Sequence, residues 1–230
     1  MFPVRDNLVS QERAYVTWTL VLLNAAVYVW DRGGHAFGPG TAFTDLAATP
    51  SEVVMAIRGQ SGDVAELGKL YTSMFLHGNV AHILGNVLFL AVFGPSIELA
   101  LGGLRFAVYY LFWGLVAAAA HIFVDPGSEA SFLGASGAIG GVLGSYFLVF
   151  PGSRVKVVIV PVLWTTFTLP AWLLLGLWFL AQVFVPQPGV ATWAHAGGFM
   201  AGMATVLILG GRQPVLDGAP LQEDALFDED

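Results

Sequence analysis

The chain has 230 residues, of which 56% are hydrophobic and only 11% charged, and its mean hydropathy is +0.72. An average soluble domain is about 25% charged, so a water-soluble fold of this length lacks the polar surface to cover its apolar side chains, and lipid must cover part of it. The formal net charge of −7 says little about the body of the protein, because Asp217, Glu223, Asp224, Asp228, Glu229 and Asp230 crowd the C-terminus; the absence of cysteine excludes disulfides and thiolate metal sites.

A membrane span needs about 20 apolar residues. In chain order, residues 1–13 read as a cytoplasmic N-terminal segment carrying Arg5, Asp6, Glu12 and Arg13. The first span runs from Ala14 to Trp30; no small-residue cleavage site follows it, so it reads as a retained span. A long polar loop extends from Asp31 to about Gly78. In it, Thr49-Pro50-Ser51-Glu52 has the form of a capping box. Val64, Leu67, Leu70, Tyr71 and Met74 recur at helical spacing. The loop is therefore expected to carry short interfacial helices on the outer membrane surface. Further spans follow at about Asn79 to Leu101, Phe106 to Val124, Ser136 to Phe150, Thr165 to Val185 and Ala194 to Leu209. The expected fold is an all-α, six-helix membrane bundle over residues 14–210, followed by an acidic, disordered and solvated tail over 211–230.

Arg5, Arg13, Arg105, Arg154, Lys156 and Arg212 all fall on one side of this arrangement, whereas the short loops Asp125 to Ala135 and Pro186 to Trp193 contain no Lys or Arg. Positive charge marks the cytoplasmic side, so both termini are expected there. Spans two, four and six then run inward from the outer face. Near their outer ends lie His82 and Asn86, Ser136, and His195. Polar groups inside a membrane are costly and mark function by default; four of them at one depth on three helices suggest a site. Ser136, Gly140 and Gly144 form one small-residue stripe and His195, Gly198 and Gly202 another, which lets two helices approach closely; if the two stripes face each other, a serine hydroxyl meets a histidine. The fourth span, about 22 Å long at 1.5 Å per residue, is short for a bilayer, so Ser136 is recessed below the outer surface in a wet cavity. At a helix start, the Ser136 N–H is free to join His82 and Asn86 in holding an oxyanion. Glu98 lies about 24 Å from His82 along the span and belongs to the other side, while Asp125 and Glu129 remain on the correct side; the reading is a Ser–His dyad.

Each residue also has a plainer reading. Ser136 alone is a packing serine, His195 an interfacial histidine, and the His82 and Asn86 pair interhelical glue. His77 and His121 read as interfacial residues without chemistry, and the i, i+5 spacing of His77 and His82, with no carboxylate to join them, does not suit a shared metal.

The stretches His77-Gly78-Asn79-Val80-Ala81-His82-Ile83-Leu84-Gly85-Asn86, Gly134-Ala135-Ser136-Gly137 and Ala194-His195-Ala196-Gly197-Gly198 with Gly202 resemble the rhomboid intramembrane serine proteases. That resemblance implies Ser136 as nucleophile, His195 as general base, and His82 and Asn86 as oxyanion side chains. It implies packing and loop-shaping roles for Gly134, Gly137, Gly198 and Gly202, the loop Pro186 to Trp193 as a cap and span five as a lateral gate. It also implies no metal or cofactor, transmembrane-helix proteins as substrates, membrane lipid as the surrounding partner, and no nucleic acid. The six-span layout fits a prokaryotic plasma membrane. One departure is visible: Gly68-Lys69 stands where many members carry Trp-Arg, and lysine lacks the planar donor fork of arginine, which leaves open how the first loop is anchored. A client-binding protein that does not cut, or a small transporter, are the competing classes; the spans carry few charges and no repeat, which disfavours transport.

Overall fold

The computed structural model describes residues 2–34, 43–60, 63–159, 165–185, 190–223 and 227. The chain opens with two short strands, β1 (Phe2–Asp6) and β2 (Leu8–Val9), and enters helix α1 (Tyr15–Asp31). Two short helices, α2 (Pro50–Ile57) and α3 (Ala65–Thr72), occupy the first loop. Helices α4 (Val80–Leu101), α5 (Gly103–Val124) and α6 (Ser136–Val149) follow, then strands β3 (Arg154–Ile159) and β4 (Thr165–Pro170), then α7 (Ala171–Phe184) and α8 (Thr192–Ile208). The described chain closes with α9 (Arg212–Leu216) and β5 (Gln222–Glu223).

The fold is mostly helical, and the apolar runs read from the sequence coincide with α1, α4, α5, α6 and α8 to within a few residues. Helices α4 and α5, 22 residues each, are long and apolar enough to cross a bilayer, and α6 and α7 are shorter apolar helices. Gly102, at φ +83°, makes the sharp turn between α4 and α5, a backbone conformation that costs glycine little.

Helix α6 sits at the centre, with Gly137 to Tyr146 all buried. It runs beside α8 at backbone contact: a Cβ on Gly198 would lie 1.9 Å from the Gly137 carbonyl oxygen, and one on Gly202 1.9 Å from that of Gly141. Gly140 and Gly144 face His195 and Phe199 in the same way. Trp113 of α5 fills the other side of α6 over Gly141 and donates its indole N–H to Thr205 Oγ1 at 2.9 Å. Helix α1 packs on α4, where Gly94 makes room for Thr17. The start of α1 has no capping side chain of its own. Glu98 of α4 caps it instead, accepting the N–H groups of Val16 and Thr17 at 2.9 and 2.6 Å and the Thr17 hydroxyl at 2.7 Å, so one carboxylate satisfies unpaired amides at the positive end of a helix.

Three expectations need correction. An all-α description omits an antiparallel sheet of order β1-β3-β4 at the end of α6 away from Ser136. The fifth apolar run does not begin as helix: Thr165 to Pro170 is strand, paired in register from Ile159↔Thr165 to Arg154↔Pro170. The β-branched residues there, and the alternation of buried Val155 and Val157 with outward Lys156, suit a pleated surface, and Pro170 then stops the ladder and precedes the helix. Nor is the whole tail solvated. Gln222–Glu223 pairs with Leu8–Val9, and Phe227 is 2% exposed, with Arg5 and Lys156 at 5.3 and 5.6 Å from its ring. An aromatic ring under two cations holds this part of an acidic segment against the body. Asp224, Asp228, Glu229 and Asp230 lie outside the described residues.

Candidate active site

The parallel run of α6 and α8 places their first turns side by side. Ser136 is the first residue of α6, and its Oγ lies 2.8 Å from His195 Nε2, in the first turn of α8. Both side chains are half-buried. The second ring nitrogen, His195 Nδ1, lies 2.7 Å from Gln182 Oε1 on α7, and the ring stacks at 5.8 Å and 30° on Trp178, one turn earlier on the same helix. Asp125 and Glu129 do not fill this position; a neutral amide does.

The start of α4 completes the group. Asn79 caps the helix, its side-chain oxygen accepting the His82 N–H at 2.8 Å, and this sets the direction of the first turn. His82 and Asn86 lie one turn apart on the face towards Ser136. Gly134, at φ +121°, passes so close to them that a Cβ there would meet His82 Nε2 at 2.6 Å and Asn86 Nδ2 at 3.7 Å. The Asn86 Nδ2 donor is buried without a partner, although a buried amide normally finds one. His82, Asn86, Ser136, His195, Trp178 and His121 all contribute to the wall of one cavity of about 770 Å³.

The loop before Ser136 is held by the first loop. Gly134 donates its N–H to Ser73 O at 2.8 Å, Phe132 donates to Ala48 O at 2.8 Å, and Thr49 Oγ1 lies 2.9 Å from Ser131 Oγ. The Thr49 hydroxyl thus bridges the two loops and makes no capping hydrogen bond to α2, so the capping-box reading fails at its first residue, although α2 does begin at Pro50.

Two residues that carry this scaffold were not legible from spacing. Arg32, just past α1, pairs with Asp31 at 2.9 Å, lies 4.0 Å over the Tyr28 ring, and donates to the carbonyls of His77 and Gly78 at 3.0 and 2.9 Å. A planar guanidinium at the end of α1 therefore anchors the approach to α4. Lys69 instead pairs locally with Glu66 at 2.8 Å and, more loosely, with Glu52 at 3.7 Å. The adjacent Asp31-Arg32 pair was the only sequence signal. Gln182 was hidden in an apolar run. His77 is 0% exposed with its ring 5.1 Å from that of His82, and His121 lies in the cavity wall with Nδ1 buried and unpartnered. Half of the cap expected over Pro186 to Trp193, residues 186–189, lies outside the described residues.

The model of the Rhomboid domain matches residues 64–212 of the sequence. The chain belongs to the rhomboid family. Among curated proteins it is 30% identical over 149 residues to Rhomboid-related protein 2 of Mus musculus, covering 60% of this chain and 47% of that one. It is 32% identical over 165 residues to RHOMBOID-like protein 4 of Arabidopsis thaliana, covering 69% and 36% respectively. RHOMBOID-like protein 5 of the same plant is 28% identical over 149 residues, covering 63% and 44%. The chain thus spans about half the length, or less, of these rhomboid relatives. The rhomboid family is membrane-embedded and is a family of intramembrane proteases that also has inactive members.

Proposed function

We propose that this chain is an active intramembrane serine endopeptidase that cuts substrate proteins in or near their transmembrane helices. The observation that carries the reading is the 2.8 Å contact between Ser136 Oγ and His195 Nε2, within the reach a base needs, beside an unpaired Asn86 donor. His195 Nε2 takes the hydroxyl proton as Ser136 Oγ bonds to the substrate carbonyl carbon. The carbonyl oxygen becomes an oxyanion, held by the Ser136 N–H and the side chains of His82 and Asn86. Collapse breaks the C–N bond, the amine leaves with the proton from His195, and water, deprotonated by His195 in turn, releases the acyl group.

The same proposal takes residues 14–210 as the catalytic unit, with α1 and α4 to α8 as six spans, in a prokaryotic plasma membrane. Both chain ends lie on the cytoplasmic side and Ser136 lies towards the outer face. The bias of Lys and Arg supports this orientation. So does the gathering of β1, β3 and β5 at the end of the bundle away from Ser136.

Reaction of the detergent-purified protein with a fluorophosphonate probe tests the chemistry. Wild type should label, and Ser136→Ala and His195→Ala should not. A folded, monodisperse wild type that fails to label would leave a rhomboid that holds membrane clients without cutting them.

A further inference from the structure

Helix α7 presents fourteen residues, and among them Gln182 is the only one with a side-chain amide or charge. An amide on an otherwise apolar helix carries a desolvation cost unless it finds a partner. Its partner is the base of the dyad: Gln182 Oε1 lies 2.7 Å from His195 Nδ1. An amide oxygen only accepts, so in this arrangement Nδ1 carries the ring proton and Nε2 presents its lone pair to Ser136 Oγ. Turned round, the amide NH₂ would donate to Nδ1 and force the proton onto Nε2, where it would face the serine and block proton removal. Trp178, four residues earlier, stacks on the same ring, so two successive turns of α7 fix the imidazole, one by its proton and the other by its plane.

We propose that Gln182 is a positioning residue that holds His195 in the tautomer with the proton on Nδ1. This deepens the protease reading and rests on it for its kinetic part. Gln182→Leu keeps the size and removes the acceptor; Gln182→Glu keeps an oxygen acceptor. The Leu variant should lose kcat on the order of 10–100-fold, by analogy with the loss when the outer hydrogen-bond partner of a metal-ligating histidine is removed, with KM nearly unchanged, and the Glu variant should recover most of it. Nitrogen NMR of ¹⁵N-histidine-labelled protein, with the His195 signal identified by its loss in His195→Gln, reads the tautomer without any turnover. Wild type should show Nδ1 protonated and Nε2 bare, and the Leu variant a mixture or the reverse. Wild-type kcat and an unchanged tautomer in Gln182→Leu would overturn the proposal. So would equal losses in the Leu and Glu variants. An inactive wild type that still shows the Nδ1–H tautomer lost in Gln182→Leu would sink the protease reading and leave the positioning contact standing.

Discussion

His77 is fully buried two residues before the Asn79 cap, with Nδ1 against the Phe75 carbonyl at 3.2 Å and Nε2 without a partner. Burial first, then the neighbouring His82 ring, push its pKa down to about 3. Its folded pKa lies below its unfolded value, so under about pH 6.5 the unfolded chain binds a proton that the folded chain refuses. Stability therefore falls as pH drops from 6.5 towards 3. One and a half pH units below the unfolded value correspond to at most about 2 kcal/mol. Melting in detergent should show a larger loss between pH 7 and 5 in wild type than in His77→Gln. The Asn86 donor makes a second prediction: Asn86→Ala should lower kcat by about 10²–10³, the usual worth of one oxyanion donor, with little change in KM in a cleavage assay. The spacing of His82, Asn86, Ser136 and His195 was enough to predict that they meet, because helix periodicity and small-residue stripes are local signals. Arg32 acts on the backbone carbonyls of His77 and Gly78, and Gln182 on a histidine of the next helix, contacts that no periodicity along the chain announces.

At the scale of elements, the apposition of α6 and α8 fixes the Ser136–His195 distance from backbone to backbone. An added methyl at Gly202 would lie 1.9 Å from a carbonyl oxygen and 2.7 Å from its carbon, and neither atom can swing aside as a side chain does. Gly202→Ala should force the helices apart and cost about 3 kcal/mol, the upper part of the overpacking range. It should also cut probe labelling of Ser136 even in molecules that remain folded. Thermal melting together with labelling at a temperature well below the transition checks both. Gly176, where a new Cβ would meet only one ring at 3.6 Å, is the matching control. Apolar length alone located five of the helices, but it could not tell Thr165 to Pro170 from helix. A short β-branched run is ambiguous until its partner strand is known.

Over the whole molecule, a chain of buried polar contacts ties the N-terminal segment to the bundle. Asp6 accepts the Ser96 hydroxyl at 2.8 Å and the Tyr146 hydroxyl at 2.7 Å; Tyr146 in turn lies 2.8 Å from Ser153, which donates to Asn7 at 2.7 Å. Removing the carboxylate leaves two buried hydroxyls without their acceptor, at about 1–3 kcal/mol each. Asp6→Ala should therefore lower the melting temperature clearly, and Asp6→Asn, which keeps one acceptor oxygen, by less. In the sequence Asp6 is one charge of the N-terminal segment among several, since nothing local indicates that Ser96 and Tyr146 converge on it.

The strand order β1-β3-β4 carries a consequence for how the molecule is made. The middle strand comes from residues 154–159, while its edge partner comes from residues 2–6. Loop closure over such a separation grows only slowly in cost with length, but contacts this distant form late in folding. During synthesis the first strand emerges early and stays without its neighbour until α4, α5 and α6 have followed. For that interval an edge with open backbone hydrogen bonds is available to any other chain, and the vulnerable period in the life of this protein falls before Ser136 has a histidine to face.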